Sequence, residues 1–256
     1  MKISVMWMTR NRPYELIYSL SSFIIRAKNN SDVEYIVISD PDDVETPDAL
    51  KKIKPMVFDT DIISLVAPQR YGYEELEMYQ NQVGKVFTGE CLLIVNDDII
   101  CLNENWDEEI RKVLRHQTKI PRWIGLSGVN EKWKGSTTFV GINRKWYEVT
   151  NKVSGNRATD GYISDLGKKL NLDPLRPTVE MLHLQRGKGE INFIWDNKYY
   201  TTKGLDDDGL GGYPTKNPKP PKYYHDPKAF TNKYTDFVEG KRRFDEDLEN
   251  LRRYHG

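Results

Sequence analysis

The chain has 256 residues, of which 38% are hydrophobic, 11% aromatic and 30% charged. Domains usually hold about 100–200 residues, so the length predicts either one large domain or one domain with a C-terminal appendage, and the apolar content excludes an intrinsically disordered chain. The 38 basic residues balance the 38 acidic ones, which excludes a global basic field for nucleic acid or membranes and leaves only a local patch.

Short apolar runs alternate with helical patterns in the first half of the chain. The runs predict four buried strands, at residues 3–8, 34–39, 62–66 and 91–95. Helical spacing of apolar residues follows from Pro13, from Glu74 to Phe87 with Gly89 as the stop, and from Trp106. Alternating strands and helices are typical of βαβ units, so we predict an α/β fold with a mostly parallel, Rossmann-like central sheet flanked by helices.

The second half of the chain is less regular. Its pattern predicts a helix over residues 160–170 and strands at 123–127, 137–142 and 178–184. Residues 203–225 are rich in Gly, Pro, Lys and Asp and predict a loop or an irregular lid. Residues 227–255 predict one or two charged surface helices, which would form a helical tail.

Polar side chains cluster where the first, second and fourth predicted strands end, at residues 9–13, 39–43 and 96–98. The carboxyl ends of parallel strands meet at one edge of a sheet, and ligands of such sheets bind beyond that edge. We therefore expect the three clusters to converge on one crevice, although they lie far apart in the sequence.

The cluster Asn96-Asp97-Asp98 directly follows a buried apolar strand. Carboxylates in such a place are costly unless they are paired, solvated or bound to a cation. Mg²⁺ and Mn²⁺ prefer oxygen ligands, and Mn²⁺ also accepts an imidazole. The alternative is a turn or helix-capping cluster, in which Asp and Asn are common.

Three segments in order resemble the nucleotide-sugar glycosyltransferases of the GT-A fold, in particular a large family-two-like group. ISVMWMTRNRPYELIYSLSS is similar to the first strand and helix of that family, and VEMLHLQRGKG is similar to a C-terminal segment of a phage and bacterial subgroup. In NQVGKVFTGECLLIVNDD, Asn81, Gly89 and Glu90 fall in register with the family's pattern, and Asn96-x-Asp98 takes the place of its Asp-x-Asp signature. The resemblance spans residues 1–190.

The resemblance implies a metal-dependent transfer of sugar from a nucleoside-diphosphate donor to an acceptor hydroxyl. It implies that Asp98 and His183 hold Mn²⁺ or Mg²⁺. The chain departs from the family at Asn96, which is a neutral and weaker metal ligand than aspartate. His225 is a competing candidate for the imidazole ligand, because it follows the predicted lid.

The resemblance also implies contacts to the donor. Asp40 matches the family's acidic residue at the end of the second strand, where a carboxylate accepts the N3–H of uracil, so the expected donor is a UDP-sugar. The other expected donor contacts are made by residues of the turn after the first strand, the predicted helix over 74–87 and the signature: Thr9, Arg10, Arg12, Asn81 and Asp97. Guanidinium groups pair with phosphate oxygens, although a single arginine is more often solvated.

Asp160 is the candidate catalytic residue. It lies at the start of a predicted helix, where the family carries its catalytic acidic residue, and an inverting transfer needs a carboxylate within reach of the acceptor hydroxyl. A retaining enzyme would not need this base. The alternative for Asp160 is a helix N-cap, and Asp165 is the second candidate for the base.

The resemblance divides the chain into a GT-A domain and an extension. Residues 1–115 would form the nucleotide-binding half and 116–200 the acceptor half of a domain over 1–200, followed by a lid and helical extension over 201–256. The acceptor would be a glycan or, as in some phage enzymes of this kind, a hydroxymethylated DNA base.

Two other functions compete with glycosyl transfer. The basic residues between 214 and 243 are interleaved with aromatic ones, so the segment could bind DNA, although a solvated surface is the simpler interpretation. A sugar-nucleotide nucleotidylyltransferase would have a similar sheet, but it needs a Gly-rich loop after the first strand, and residues 9–13 contain no glycine.

The sequence predicts a reduced, cytoplasmic protein, in the host cytoplasm if the source is viral. Cys91 and Cys101 match neither a disulfide framework nor a zinc pattern. The N-terminal segment is not typical of a signal peptide, and no apolar run approaches the roughly 20 residues of a membrane span.

Overall fold

A computed structural model of the protein describes residues 1–57, 60–71, 75–126, 128–129, 139–183, 191–195, 198–202 and 238–255. The strands, in chain order, are β1 (Ile3–Thr9), β2 (Val33–Ser39), β3 (Asp61–Val66), β4 (Cys91–Asn96), β5 (Ile99–Cys101), β6 (Trp123–Leu126), β7 (Phe139–Asn143), β8 (Met181–His183), β9 (Ile191–Trp195) and β10 (Lys198–Thr202). The α-helices are α1 (Pro13–Arg26), α2 (Glu45–Ile53), α3 (Leu76–Gly84), α4 (Trp106–Leu114), α5 (Arg144–Thr150), α6 (Thr159–Lys169) and α7 (Val238–His255).

The central sheet has six strands in the order β3-β2-β1-β4-β7-β6. β1 pairs in parallel with β2 and with β4, and β2 pairs in parallel with β3. β7 runs antiparallel to β4, and β6 runs antiparallel to β7. The predicted α/β fold with a mostly parallel sheet is thus confirmed.

Two apolar layers cover the faces of this sheet. One layer packs α1, α2 and α4 against the sheet and includes Trp7, Phe23 and Trp106. The other packs α3, α5, α6 and α7 against the opposite face and includes Trp146 and Tyr162. Because both faces are covered, the central strands are apolar along most of their length, which explains the continuous apolar runs in the sequence.

The end of α3 differs from the sequence prediction. The helix ends at Gly84 and not at Phe87. A Cβ on Gly84 would lie 2.7 Å from the Tyr147 ring and 2.8 Å from Val153, so this turn packs tightly against α5 and the loop after it. Gly89 instead allows the chain to pass close to β1, because a Cβ there would lie 2.5 Å from Ser4 Oγ.

Two small antiparallel pairs of strands lie outside the central sheet. β5 follows β4 after the two-residue turn Asp97-Asp98 and pairs with β8. Among the described residues of the predicted strand at 178–184, Met181–His183 form β8. The second pair, the β9–β10 hairpin, was not predicted, and the predicted loop at 203–225 lies outside the described residues.

The C-terminal helix α7 belongs to the second apolar layer. Phe244, Leu248 and Leu251 share one face of the helix and are buried against that layer. The Tyr162 hydroxyl hydrogen bonds to the buried Asp247 carboxylate at 2.5 Å. Within the described ranges, no helix is both long and apolar enough to traverse a bilayer.

Candidate active site

The carboxyl ends of β1, β2 and β4 bring their polar residues together. Thr9, at the end of β1, donates a hydrogen bond from Oγ1 to Asp97 Oδ2 at 2.9 Å, directly after β4. Arg10 pairs with Asp40, directly after β2. The three clusters expected to converge therefore lie at one edge of the sheet and contact one another.

The turn after β1 has a fixed backbone. Asn11 has φ of 49°, in the left-handed region that asparagine tolerates better than most residues. Its backbone N–H donates to Asp43 Oδ2 at 2.9 Å, and the other oxygen of Asp43 accepts the N–H of Thr46 at 3.0 Å in α2. The loop before α2 therefore holds the turn that carries both arginines.

Arg10 is held by two carboxylates. Its guanidinium donates to both oxygens of Asp42, each at 2.8 Å, and also pairs with Asp40. The Arg10 side chain is only 19% exposed. It thus has internal partners, whereas the sequence favoured a phosphate contact or a solvated side chain.

Arg12 pairs with one carboxylate and keeps unused donors. Its Nη1 lies 2.7 Å from Asp97 Oδ1, and its Nε and Nη2 are buried with no hydrogen-bond partner in the described part of the chain. Burial acts to lower the pKa of Arg12, but the charges of Asp97, Asp98 and Glu15 outweigh it and raise the pKa. The spare donors suit an anionic ligand that enters the crevice.

Asp97 and Asp40 are buried carboxylates at this edge of the sheet. Asp97 is 4% exposed, and burial raises its pKa while the neighbouring Arg12 opposes that shift. Asp40 is 3% exposed, and its second oxygen lies against the hydroxyl of Tyr79 in α3. A carboxylate has about four acceptor sites, so Asp40 retains the capacity to accept another N–H.

Asp98 and His183, the two predicted metal ligands, are neighbours. The Nε2 atom of His183 lies 3.4 Å from Oδ2 of Asp98, because β5 and β8 pair antiparallel with Ile99 opposite His183. The imidazole stands edge-on to the Phe139 ring, with ring centroids 5.5 Å apart. Oδ1 of Asp98 is buried and has no hydrogen-bond partner among the described residues.

This pair fits a cation that is shared with a bound substrate. A carboxylate and an imidazole are ligands that Mn²⁺ accepts, and Mg²⁺ is commonly held by one or two carboxylates together with substrate phosphates. In the described ranges, no group of three or more His, Cys, Asp or Glu side chains could hold a metal by itself. Asn96, the departure from the signature, is exposed.

Asp160 lies in the first turn of α6. The last turn of that helix packs Gly167 on Trp123, which is level with the beginning of β4, so the first turn points toward the carboxyl edge of the sheet. Burial raises the pKa of Asp160, although the N–H of Gly161 donates to its carboxylate.

The two candidate bases, Asp160 and Asp165, both lie within α6. Ala158 occupies the N-cap position of α6, so Asp160 is inside the helix and is not its N-cap. Asp165, the second candidate for the base, pairs with Lys168 at 3.2 Å on the surface of the same helix.

The Asn81 side chain in α3 contacts the loop before α6. Its Oδ1 accepts the N–H groups of Val153 at 2.8 Å and Ser154 at 3.2 Å, and its Nδ2 donates to Ser154 O at 2.9 Å. These contacts use its amide to hold the loop before α6, and within the described residues no hydrogen bond joins it to the strand-end cluster. Asn81 thus has a structural role in this loop, and its expected contact to the donor stays a prediction.

Sequence reasoning missed three residues of this region: Tyr79, Gln80 and Thr159. Each acts through a contact with a residue distant in the chain, so no local pattern indicated it.

The basic stretch at 214–243 is only partly described. His225 and the basic residues up to Lys233 lie outside the described residues. Lys241, Arg242 and Arg243 are ion-paired with Asp245, Glu246 and Glu77, respectively. Their charges are thus compensated within the protein.

The known proteins that this chain resembles are solved structures. No protein-family model and no curated protein matches the sequence. The mannosyltransferase PcManGT of Pyrobaculum calidifontis, solved with GDP-Man and Mn²⁺, is similar with a TM-score of 0.59 and 11% identity over 73% of this chain and 58% of that one. TarS 1-349 of S. aureus, solved with UDP, is similar with a TM-score of 0.52 and 15% identity over 66% of this chain and 55% of that one.

This chain therefore spans less than two thirds of either relative. At such low identities the similarity concerns the fold. The six-stranded sheet with helices on both faces is the GT-A fold of nucleotide-sugar glycosyltransferases.

Proposed function

We propose that the protein is a metal-dependent glycosyltransferase that moves a sugar from a UDP-sugar to an acceptor hydroxyl. The observation that carries this proposal is the pairing of Asp98 with His183 at 3.4 Å, at the edge of the sheet where α/β folds bind ligands. The GT-A fold adds support, since one relative was solved with GDP-Man and Mn²⁺ and another with UDP.

Asp98 and His183 would hold the cation, with Mn²⁺ favoured over Mg²⁺ because one ligand is an imidazole. A bound divalent cation would supply charge neutralisation to the diphosphate leaving group. The buried oxygen Oδ1 of Asp98 has no hydrogen-bond partner in the described residues, which leaves it available as a ligand.

The donor would lie over the turn after β1. The spare Nε and Nη2 donors of Arg12 would bind phosphate oxygens, and Asp97 and Thr9 would keep that guanidinium in place. Asp40 would accept the N3–H of uracil. Because Arg10 and Tyr79 already contact both oxygens of Asp40, a single N–H fits there better than the paired donors of guanine.

Asp160 would act as the general base. Its raised pKa, which results from burial, brings it closer to the range in which a carboxylate accepts a proton from an attacking hydroxyl. Attack from the face opposite the leaving diphosphate would invert the anomeric carbon. The acceptor hydroxyl would belong to a glycan or to a hydroxymethylated DNA base, and the sugar would be a hexose or a pentose.

Calorimetric titration tests the donor site. UDP, GDP and ADP are titrated with and without Mn²⁺ into the wild type, Asp98→Ala and a control, Asp48→Ala, which removes a carboxylate from an exposed pair with Lys51. We expect UDP to bind selectively and only with metal, and this binding to be lost in Asp98→Ala alone. An absence of nucleotide binding under every metal condition would overturn the proposal.

A nucleic-acid-binding module would behave differently in the same samples. Its DNA binding would survive Asp98→Ala and would weaken steeply with salt.

The division of the chain at residue 200, with an acceptor half over 116–200, remains part of the proposal.

A further inference from the structure

Three consecutive residues of α3 contact two separate parts of the candidate site. Tyr79 lies against Asp40 at the donor side. Gln80 Oε1 lies 2.5 Å from Thr159 Oγ1, at the first residue of α6. Asn81 holds the backbone of Ser154, in the loop that leads to α6.

Helix geometry explains how one short segment reaches both parts. Successive residues of an α-helix are rotated by about 100°, so three in a row present side chains over roughly 200° of the circumference. α3 therefore lies between the end of β2 and the segment 153–159, and its position determines the separation of the two.

The contact of Gln80 with Thr159 is a buried polar one. Gln80 is 2% exposed and Thr159 is 5% exposed. Buried amides and hydroxyls are costly unless they are hydrogen-bonded, and an apolar pair would pack two helices equally well. A hydrogen bond is directional, so this polar pair fixes the rotation of the first turn of α6 relative to α3.

We propose that Gln80 and Thr159 are positioning residues for Asp160: Gln80 fixes Thr159, and thereby holds the neighbouring carboxylate at a set distance from the Asp40 end of the donor site. Asn81 supports this arrangement by fixing the loop that enters the helix. The proposal rests on the proposed function, in which Asp160 is the base.

The test uses a matched pair of variants. Thr159→Val keeps the shape of the side chain but removes the hydroxyl, and Thr159→Ser keeps the hydroxyl. Tyr35→Phe is the control, because it removes a buried hydroxyl that bonds Asn30 at 2.6 Å beside the other apolar layer. A further variant, Gln80→Leu, removes the partner from the α3 side.

The first readout needs no substrate. The Asp160 carboxyl is titrated by carbon NMR in each variant and assigned with Asp160→Asn. Thr159→Val and Gln80→Leu should move the pKa of Asp160 down toward the ordinary aspartate value, because a loosened first turn exposes the carboxyl to water. Thr159→Ser and Tyr35→Phe should titrate like the wild type.

The second readout is UDP release from a panel of UDP-sugars with Mn²⁺. We expect Thr159→Val to lower kcat by about 10–10²-fold, because a small displacement of a catalytic group has effects of this order. The Kd for UDP should not change, and Thr159→Ser should restore kcat.

The outcomes separate the two proposals. An unchanged Asp160 titration and an unchanged kcat in Thr159→Val, or an equal loss in Tyr35→Phe, would overturn the positioning role while leaving metal-dependent UDP binding intact. If the wild type binds no UDP and releases none, the proposed function fails. The titration of Asp160 in Thr159→Val and Thr159→Ser then still decides whether Gln80 and Thr159 set the position of Asp160.

Discussion

His183 Nε2 lies 3.4 Å from Asp98 Oδ2 because Ile99 and His183 are partners in the β5–β8 ladder. A shift of that ladder by one residue would turn the imidazole to the other face of the strand. The two residues therefore meet through strand register and not through a local motif. The strand pair that creates the contact lies outside the central sheet, so the ligand pair depends on this small addition to the fold.

Removing the imidazole should weaken metal-dependent binding of UDP. In His183→Ala we expect the apparent affinity for Mn²⁺ in the presence of UDP to fall by at least about tenfold, since one of two protein ligands is lost. Titration of UDP at a series of Mn²⁺ concentrations measures this. An unchanged affinity for Mn²⁺ in His183→Ala would place the ion elsewhere.

Replacing the candidate base should slow glycosyl transfer and leave donor binding unchanged. Asp160→Asn should lower the rate of UDP release by about 10²–10⁴-fold with no change in UDP affinity. Asp165→Asn, which breaks the pair with Lys168 on the same helix, should retain the wild-type rate. Loss of activity in Asp165→Asn but not in Asp160→Asn would exchange the roles of these two residues.

The ion pair between Arg12 and Asp97 should contribute to stability as well as to binding. Arg12→Met leaves the buried Asp97 without its counter-ion and should lower the free energy of unfolding by about 3–5 kcal/mol. Adding Asp97→Asn should recover part of that loss, because the uncompensated charge is removed. Urea unfolding of the two single variants and the double variant measures this, and simple additivity would contradict a direct pairing.

Glu34 should make stability depend on acid pH. Burial acts to raise the pKa of this carboxyl, but hydrogen bonds from Ser4 and Thr88 and the neighbouring Lys2 outweigh it and lower the pKa. An acid with a lowered folded pKa stabilises the protein above its unfolded pKa of about 4.3 and loses that contribution as the pH falls through the folded value.

The matched variant is Glu34→Gln. At pH 7 it should be less stable than the wild type by about 1–3 kcal/mol, because a charge-assisted set of hydrogen bonds is lost. The difference should shrink below about pH 4.3, where the carboxyl of the unfolded wild type becomes protonated, until the pH has passed the lowered pKa of the folded state. Urea unfolding at pH 7 and pH 3 checks this, and an equal difference at both values would contradict the argument.

Gly89, which matches the family signature, should matter for folding and not for donor binding. Gly89→Ala places a Cβ 2.5 Å from Ser4 Oγ and 2.7 Å from Ser4 N. The overlap should lower the free energy of unfolding by about 1–3 kcal/mol. Calorimetry on the folded variant at low temperature should give the wild-type Kd for UDP; a weaker Kd with unchanged stability would assign Gly89 to the site.

The sequence predicted the elements whose signal is local. β1 to β4 are apolar along continuous runs because helices cover both faces of the sheet, and Pro13 begins α1 at its first residue. The strand-end clusters followed from topology, since parallel strands must end at one edge. Asp98 and His183 were named from a resemblance, and only the β5–β8 register explains why they meet.

The rest depends on contacts that no window of sequence contains. Gly84, the last residue of α3, packs against Tyr147 and Val153, which lie far along the chain. Asn81 falls in register with the family's sequence pattern, but its side-chain amide hydrogen bonds to the backbone of Val153 and Ser154. The roles of Gln80 and Thr159 follow from one long-range hydrogen bond between ordinary polar residues.

The two edges of the sheet differ in how completely their polar groups are satisfied. Near the beginning of β1, Glu34 receives bonds from Ser4, Thr88 and Gly89 and pairs with Lys2. At the opposite edge, Ser39 Oγ, Asp98 Oδ1 and two nitrogens of Arg12 are buried without a hydrogen-bond partner among the described residues. These buried groups lie together at the ends of β2 and β4 and in the turn after β1, and a polyoxygen ligand that hydrogen bonds to them should raise the thermal midpoint of unfolding.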